Sequence, residues 1–285
     1  MMVVAGRDLG GGSMTIEAGL VEQRRNTVGP VTKVIRKKKC KTKNTKRPVP
    51  AVPTALQRLY GACRDVFKGP GTVPSPSDVQ KLCHILDGMR PSDVGLSRDL
   101  QFFKPKSAVN GIPRVTYTTI YYCDNFSLCM FFLPATAVIP LHNHPEMTVF
   151  NKLLLGTMHI KSYDWVDDVV AVSQLRLARL KANSVFTAPC STSVLYPTSG
   201  GNIHAFTALT PCAVLDVLGP PYSTEDGRDC SYYKDTPCTA LSNGEPKEGD
   251  DSFGWLEEIE MPEDSEMDGI EYMGPQVNDT SSLLS

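Results

Sequence analysis

The sequence predicts an all-β domain, a sandwich or a closed barrel, behind a short helical layer. Three observations lead there. From about residue 101, apolar runs of strand length recur every 8–12 residues. Turns rich in Gly, Pro, Asn and Ser separate them, and no helical stretch intervenes, which argues against an open parallel sheet. Ahead of these runs, two segments repeat their apolar residues at the helical period.

The elements follow in order. Thr54 to Phe67 places Leu56, Leu59, Tyr60, Cys63 and Val66 or Phe67 on one helical face, with Thr54 the expected N-cap. Ser77-Asp78-Val79 opens a second helix, with Leu82, Ile85, Leu86 and Met89 on its apolar side and Gly88 weakening its end. Strands are expected over Val115–Tyr122, Phe126–Leu133, Ala137–Leu141, Met147–Leu155 and Thr157–Tyr163. More are expected over Val169–Leu180, Ser184–Ala188, Ser193–Tyr196, Ile203–Leu209 and Cys212–Leu218. Residues 115–122 and 175–180 alternate in polarity, as half-buried strands do.

The chain has 285 residues, 41% hydrophobic and 21% charged, enough to bury a sizeable core and too apolar for wholesale disorder. No run of 18 apolar residues exists, so no membrane helix is expected, and the apolar run before Arg7 is too short for a signal peptide. Nine cysteines with no C-x-x-C pair fit a reduced intracellular chain better than a disulfide framework or a zinc ribbon.

The net charge of −2 conceals three zones: +9 over residues 1–50, +1 over 51–240 and −12 over 241–285. Arg36 to Lys41, with Lys43, Lys46 and Arg47, forms a basic cluster that reads either as a solvated, disordered tail or as a nuclear import signal. Residues 1–50 contain no Phe, Tyr or Trp on which bases could stack, so direct nucleic-acid recognition is not expected.

The chemistry lies in three of the five histidines. His142 and His144 stand at i and i+2, so on an extended strand they share a face with Cα atoms roughly 6.5 Å apart. Two such imidazoles can converge on one metal, although the same pair can also be an ordinary polar pair on a strand. Pro197-Thr-Ser-Gly-Gly-Asn-Ile-His204 sets a third histidine after a Gly200-Gly201 turn, where positive φ would aim it back into the barrel. His84 and His159 lie outside both motifs and read as surface or packing residues. Asp216 stands in an otherwise apolar strand, where a carboxylate is costly unless hydrogen-bonded, whether it holds a turn or serves the chemistry. Tyr222, after Pro220-Pro221, is either a packing plug or a hydrogen-bonding group.

On these residues the chain resembles the cupin superfamily: H-x-H on one strand, Gly156, and a Pro-x-Ser-Gly-Gly-x-x-His turn. Many cupins add a glutamate about four residues after the second histidine; this chain has Thr148 there, and Glu146 comes too early. Residues 215–222 (LDVLGPPY), 227–233 (GRDCSYY) and 255–259 (WLEEI) resemble the plant cysteine oxidases, and residues 270–275 (IEYMGP) resemble that family's closing strand. The resemblance implies a cupin double-stranded β-helix, a jelly-roll barrel with N-terminal helices, over residues 51–275. A basic, disordered head (1–50) and a disordered tail (276–285) would flank it.

It further implies Fe(2+) held by His142, His144 and His204, with Asp216 and Tyr222 in the catalytic surroundings. Asp216 would orient a ligand histidine, or hold the substrate amine and move its proton. Cys190 and Cys212 flank the second motif, and no Cys–Tyr crosslink is assigned. The implied reaction uses O2 to convert an N-terminal cysteine, notably of group VII ethylene-response transcription factors, to the sulfinic acid. That product would mark the substrate for arginylation and oxygen-dependent degradation, in the nucleus and cytoplasm. Two alternatives stay open: a non-catalytic nuclear cupin that binds a partner, and a cupin using zinc or manganese.

Overall fold

The computed structural model describes residues 52–96, 108–109, 112–166, 175–237 and 252–279. The expected basic head lies outside the described residues.

The helices form where periodicity placed them. Helix α1 (Ala55–Val66) is capped by Thr54, whose Oγ1 accepts the Gln57 N–H at 3.1 Å. Helix α2 (Pro76–Asp87) starts slightly earlier than expected, because Ser75 caps it through the Asp78 N–H and Pro76 suits the first turn.

The strands are β1 (Ala108–Val109), β2 (Ile112–Pro113), β3 (Thr116–Tyr122), β4 (Ser127–Leu133), β5 (Val138–His142), β6 (Thr148–Leu155) and β7 (Thr157–Trp165). Next come β8 (Leu175–Thr187), β9 (Ser193–Leu195), β10 (Ile203–Ala208), β11 (Cys212–Gly219), β12 (Tyr232–Pro237), β13 (Phe253–Ile259) and β14 (Asp268–Gly269). One sheet closes into a ring in the order β10-β5-β12-β13-β8-β7, and β14-β3-β4-β11-β6-β9 form a second six-stranded sheet. This is the double-stranded β-helix of the cupins, with two helices added.

Burial explains the layering. Leu133, Leu153 and Val214 of the second sheet meet Ile139, Met158 and Phe206 of the ring. The other face of the second sheet, through Leu128, Phe150, Leu215 and Val217, takes Leu56, Leu59, Leu82 and Leu86 of the helices. Strands β6 and β11 are thus covered on both faces, which is why they read as nearly unbroken apolar runs. Lys152 interrupts β6 on the helical side, where its Nζ meets Asp87 Oδ1 at 3.0 Å and also donates to the Cys190 carbonyl. Asp87 Oδ1 accepts from the Thr192 N–H and hydroxyl as well, both at 2.7 Å, so one carboxylate joins α2 to the strands beneath it.

Three expectations need correction. Ser184–Ala188 is not a separate strand: β8 continues unbroken from Leu175 to Thr187 against β7. Residues 181–183 (Lys-Ala-Asn) break the apolar run like a turn, but β8 is largely exposed there, so Lys181 and Asn183 suit it without breaking it. The closing strand is the two-residue β14, parallel to β3, and Ile270 beyond it gives only its N–H to the Tyr117 carbonyl at 2.9 Å. The described chain also continues past 275 as part of the body. Gln57 exchanges two hydrogen bonds with the Asn278 backbone, at 2.8 and 3.1 Å, and Arg64 meets Asp279 at 3.3 Å. Among the described residues no helix is long and apolar enough to cross a membrane.

Candidate metal centre

Antiparallel pairing sets His204 of β10 directly opposite His142 of β5, so residues far apart in the chain become neighbours. His144 lies just beyond β5, ahead of a turn in which Glu146 takes φ +58° and is exposed. The three rings stand 4.7–4.9 Å apart between centroids. One ligand atom from each lies within 4.8 Å of the others, so the three can share an ion. His144 and His204 are 2% and 3% exposed.

Backbone carbonyls orient the rings. His142 Nδ1 meets the Pro140 carbonyl at 2.8 Å, His144 Nδ1 meets the Asn202 carbonyl at 3.2 Å, and His204 bonds to the Gly201 backbone. An Nδ1–H held by a carbonyl leaves Nε2 as the free donor on His142 and His144. Burial lowers the pKa of all three imidazoles, most strongly for His144 and His204, where the neighbouring histidines add to the effect. The centre therefore offers three neutral nitrogens at neutral pH. The chemistry of this donor set fits a divalent transition metal.

The second motif needs its glycines. Gly200 and Gly201 sit at φ +84° and +85°, and a Cβ would stand 2.8 Å from the Val194 carbonyl and 2.6 Å from Ser162 Oγ respectively. The positive φ expected of this turn is present. Thr148 shares strand parity with Phe150, which packs against the helices, whereas Met147 and Val149 join the apolar cluster that touches Tyr222. No carboxylate stands where many cupins carry one.

Asp216 faces between the sheets, 5% exposed, and accepts from Asn151 Nδ2 at 2.8 Å. Burial pushes its carboxyl up to about 7, against the lowering effect of that hydrogen bond. Its partner is Asn151, not a ligand histidine, so of the two functional roles expected for it, ring orientation falls instead to the carbonyls. Tyr222 stands with its ring 5.6 Å from that of His144 and donates its hydroxyl to the Asn143 carbonyl at 2.8 Å. Burial raises its pKa well above the ordinary value, with Cys230, Tyr232 and Asp216 adding to the rise. His84 is exposed on α2, and His159 pairs with Asn183 Oδ1 at 2.8 Å; neither joins the centre. Cys212 is a packing residue whose thiol donates to the Thr157 carbonyl at 3.2 Å.

Several contributors were not read from the sequence. Asn143, between the two motif histidines, accepts the Ser231 N–H on Oδ1 at 2.8 Å and donates from Nδ2 to Tyr233 Oη at 3.3 Å, pinning the segment that carries Cys230. Cys230 hydrogen-bonds to Tyr222 and Tyr232, and burial raises its thiol to about 11. Asn202 Oδ1 accepts the His144 N–H at 3.0 Å, and its Nδ2 donates to the His144 carbonyl at 2.8 Å. Its i, i+2 relation to His204 was the available signal.

A buried trio of neutral imidazoles inside a double-stranded β-helix defines a cupin with a candidate metal centre. The family described as PCO_ADO matches residues 85–277, and the chain belongs to that family. It is 51% identical over 241 residues to plant cysteine oxidase 1 of Arabidopsis thaliana, covering 79% of this chain and 81% of that protein. It is 31% identical over 244 residues to human 2-aminoethanethiol dioxygenase, covering 75% of this chain and 87% of that one. Among solved structures, an RmlC-like cupin protein from Desulfovibrio desulfuricans is similar with a TM-score of 0.28 and 20% identity, covering 44% of this chain and 96% of that one.

Proposed function

We propose that the protein is an iron(II)-dependent thiol dioxygenase that oxidises an N-terminal cysteine of other proteins to cysteine sulfinic acid. Membership of the PCO_ADO family and relatives named cysteine oxidase and aminoethanethiol dioxygenase support the thiol dioxygenase class. The observation that carries the reading is the convergence of three neutral, buried imidazoles with no carboxylate among them. Iron(II), when bound by His142, His144 and His204, would keep its full charge, favour a thiolate over a thiol and bring O2 to it.

The chain's own residues do the rest. Pro140 and Asn202 carbonyls aim the rings. Met147, Val149, Leu195 and Leu218 form an apolar wall beside Tyr222 that keeps bulk water away. Asp216, with a carboxyl near 7, can hold a proton or release it at working pH, which suits a group that takes the proton of the incoming thiol or amine. The Tyr222 hydroxyl is anchored on the Asn143 carbonyl beside His144. The net change is addition of both oxygen atoms of O2 to one sulfur, with no separate reductant.

Substrates are proteins with a free N-terminal cysteine, notably group VII ethylene-response transcription factors, and the sulfinate directs them to degradation when oxygen is present. The basic cluster from Arg36 to Arg47 suits import into the nucleus in addition to a cytoplasmic pool. The test is mass spectrometry of a Cys-initiating peptide incubated aerobically with iron-loaded protein. The free peptide gains two oxygen atoms and an N-terminally acetylated copy gains none. An unchanged free peptide, or equal activity with zinc in place of iron, refutes the reading.

A further inference from the structure

We propose that Asp164 is the positioning residue of the metal centre, its carboxylate holding the Gly200–Asn202 turn in the shape that sets both His144 and His204 before an ion arrives. This rests on the reading of the three histidines as a metal centre. Asp164 lies on β7 and is 8% exposed. Its Oδ1 accepts the N–H of Gly201 at 2.7 Å and of Asn202 at 3.0 Å, and its Oδ2 accepts the N–H of Gly200 at 3.0 Å. Three successive backbone N–H groups converging on one anion make a nest, and here the anion is the chain's own. Hydrogen bonds to an ionised acceptor belong to the stronger class. Lys181 Nζ stands 3.8 Å from Oδ2 on an exposed side chain, so the turn's amides make the close contacts.

From the turn the constraint divides. Along the chain it reaches His204, whose ring bonds to the Gly201 backbone. Through Asn202 it reaches His144 by three bonds: Oδ1 to the N–H, Nδ2 to the carbonyl, and the Asn202 carbonyl to Nδ1. One carboxylate outside the ligand set thus fixes two ligands, one on β10 and one just beyond β5. His142 takes its own anchor from the Pro140 carbonyl.

Asn in place of Asp keeps the size but removes the charge and turns one acceptor into a donor that faces backbone N–H groups. The experiment measures the Co(II) affinity of the full-length chain by chelator competition, with the Co(II) absorption spectrum as a second readout. Asp164→Asn is compared with Asp235→Asn, whose parent carboxylate bonds to Lys161 and Tyr163 Oη instead of the ligand turn. Asp164→Asn is expected to weaken Co(II) binding about 10- to 100-fold and alter the spectrum, as loss of a ligand-orienting partner does, while Asp235→Asn leaves both unchanged. Equal affinity and an identical spectrum for Asp164→Asn and the parent would overturn the proposal.

Hydrogen exchange on the unsubstituted, metal-free protein gives a test that needs no variant to fold. The amides of Gly200, Gly201 and Asn202 are expected to be protected already, and protection that arises only on adding Co(II) would equally overturn it. A parent chain that takes up no Co(II) at all removes the metal-centre reading itself, an outcome distinct from equal uptake by parent and variant.

Discussion

At the scale of single residues, the candidate centre sets three imidazoles kept uncharged beside one carboxyl made harder to ionise. Burial does both, lowering the histidines and raising Asp216 to about 7. His204→Ala is expected to cut metal uptake to near zero while the protein stays folded, since the core is strand packing and not the metal. Metal analysis beside a circular dichroism spectrum checks this. For Asp216, a folded-state pKa above the unfolded value of about 3.9 means that the native state holds the proton more tightly. The stability so gained is complete below about pH 4 and is lost as pH rises through about 7. Asp216→Asn cannot ionise, so it should gain stability over the metal-free parent by a few kcal/mol between about pH 4 and pH 8. Urea unfolding across that range measures it; a difference that ignores pH would discard the buried-charge account. With iron bound, the same variant is expected to lose turnover, and full turnover would remove the proton-handling role.

Among elements, α2 is joined to the strands by Lys152, Asp87, the Cys190 carbonyl and Thr192. Asp87→Ala leaves a nearly buried ammonium short of its counter-charge, and is expected to cost about 2–3 kcal/mol, discounted because Asp87 is partly exposed. Pairing it with Lys152→Met should recover most of that loss, which urea unfolding of both variants would show. How far elements were legible followed from how local their causes are. Helix α1 was read nearly to the residue because its apolar face and Thr54 cap lie within one short segment. Strand β8 was split because a short stretch such as Lys181-Ala182-Asn183 looks alike in a turn and on an exposed strand face. The closing strand, expected at 270–275, stands just ahead of that segment as β14, because its pairing with β3 is a long-range choice that the residues at 268–275 do not reveal.

For the whole molecule, the charge zoning separates the basic head from the neutral body that carries the chemistry. Deleting residues 1–47 is expected to leave peptide oxidation unchanged and to shift the protein toward the cytoplasm. Kinetics with the truncated chain and fluorescence microscopy of a tagged copy check both halves, and unchanged nuclear enrichment would reject the import role.

The amino-acid sequence by itself determined the two helices ahead of a β body, the H-x-H pair and the Gly-Gly turn before His204, because residue type, strand period and turn chemistry are local properties. The family resemblance implied that the three histidines form one ligand set. Only the tertiary structure decided that β5 and β10 are neighbours, so that His142 faces His204, and that carbonyls rather than Asp216 orient the rings. It alone brought Asn143 onto the Ser231–Tyr233 segment and Asp164 under the glycine turn. These contacts depend on strand register across the chain, and a register is set by packing of the whole core, which no local pattern of residues encodes.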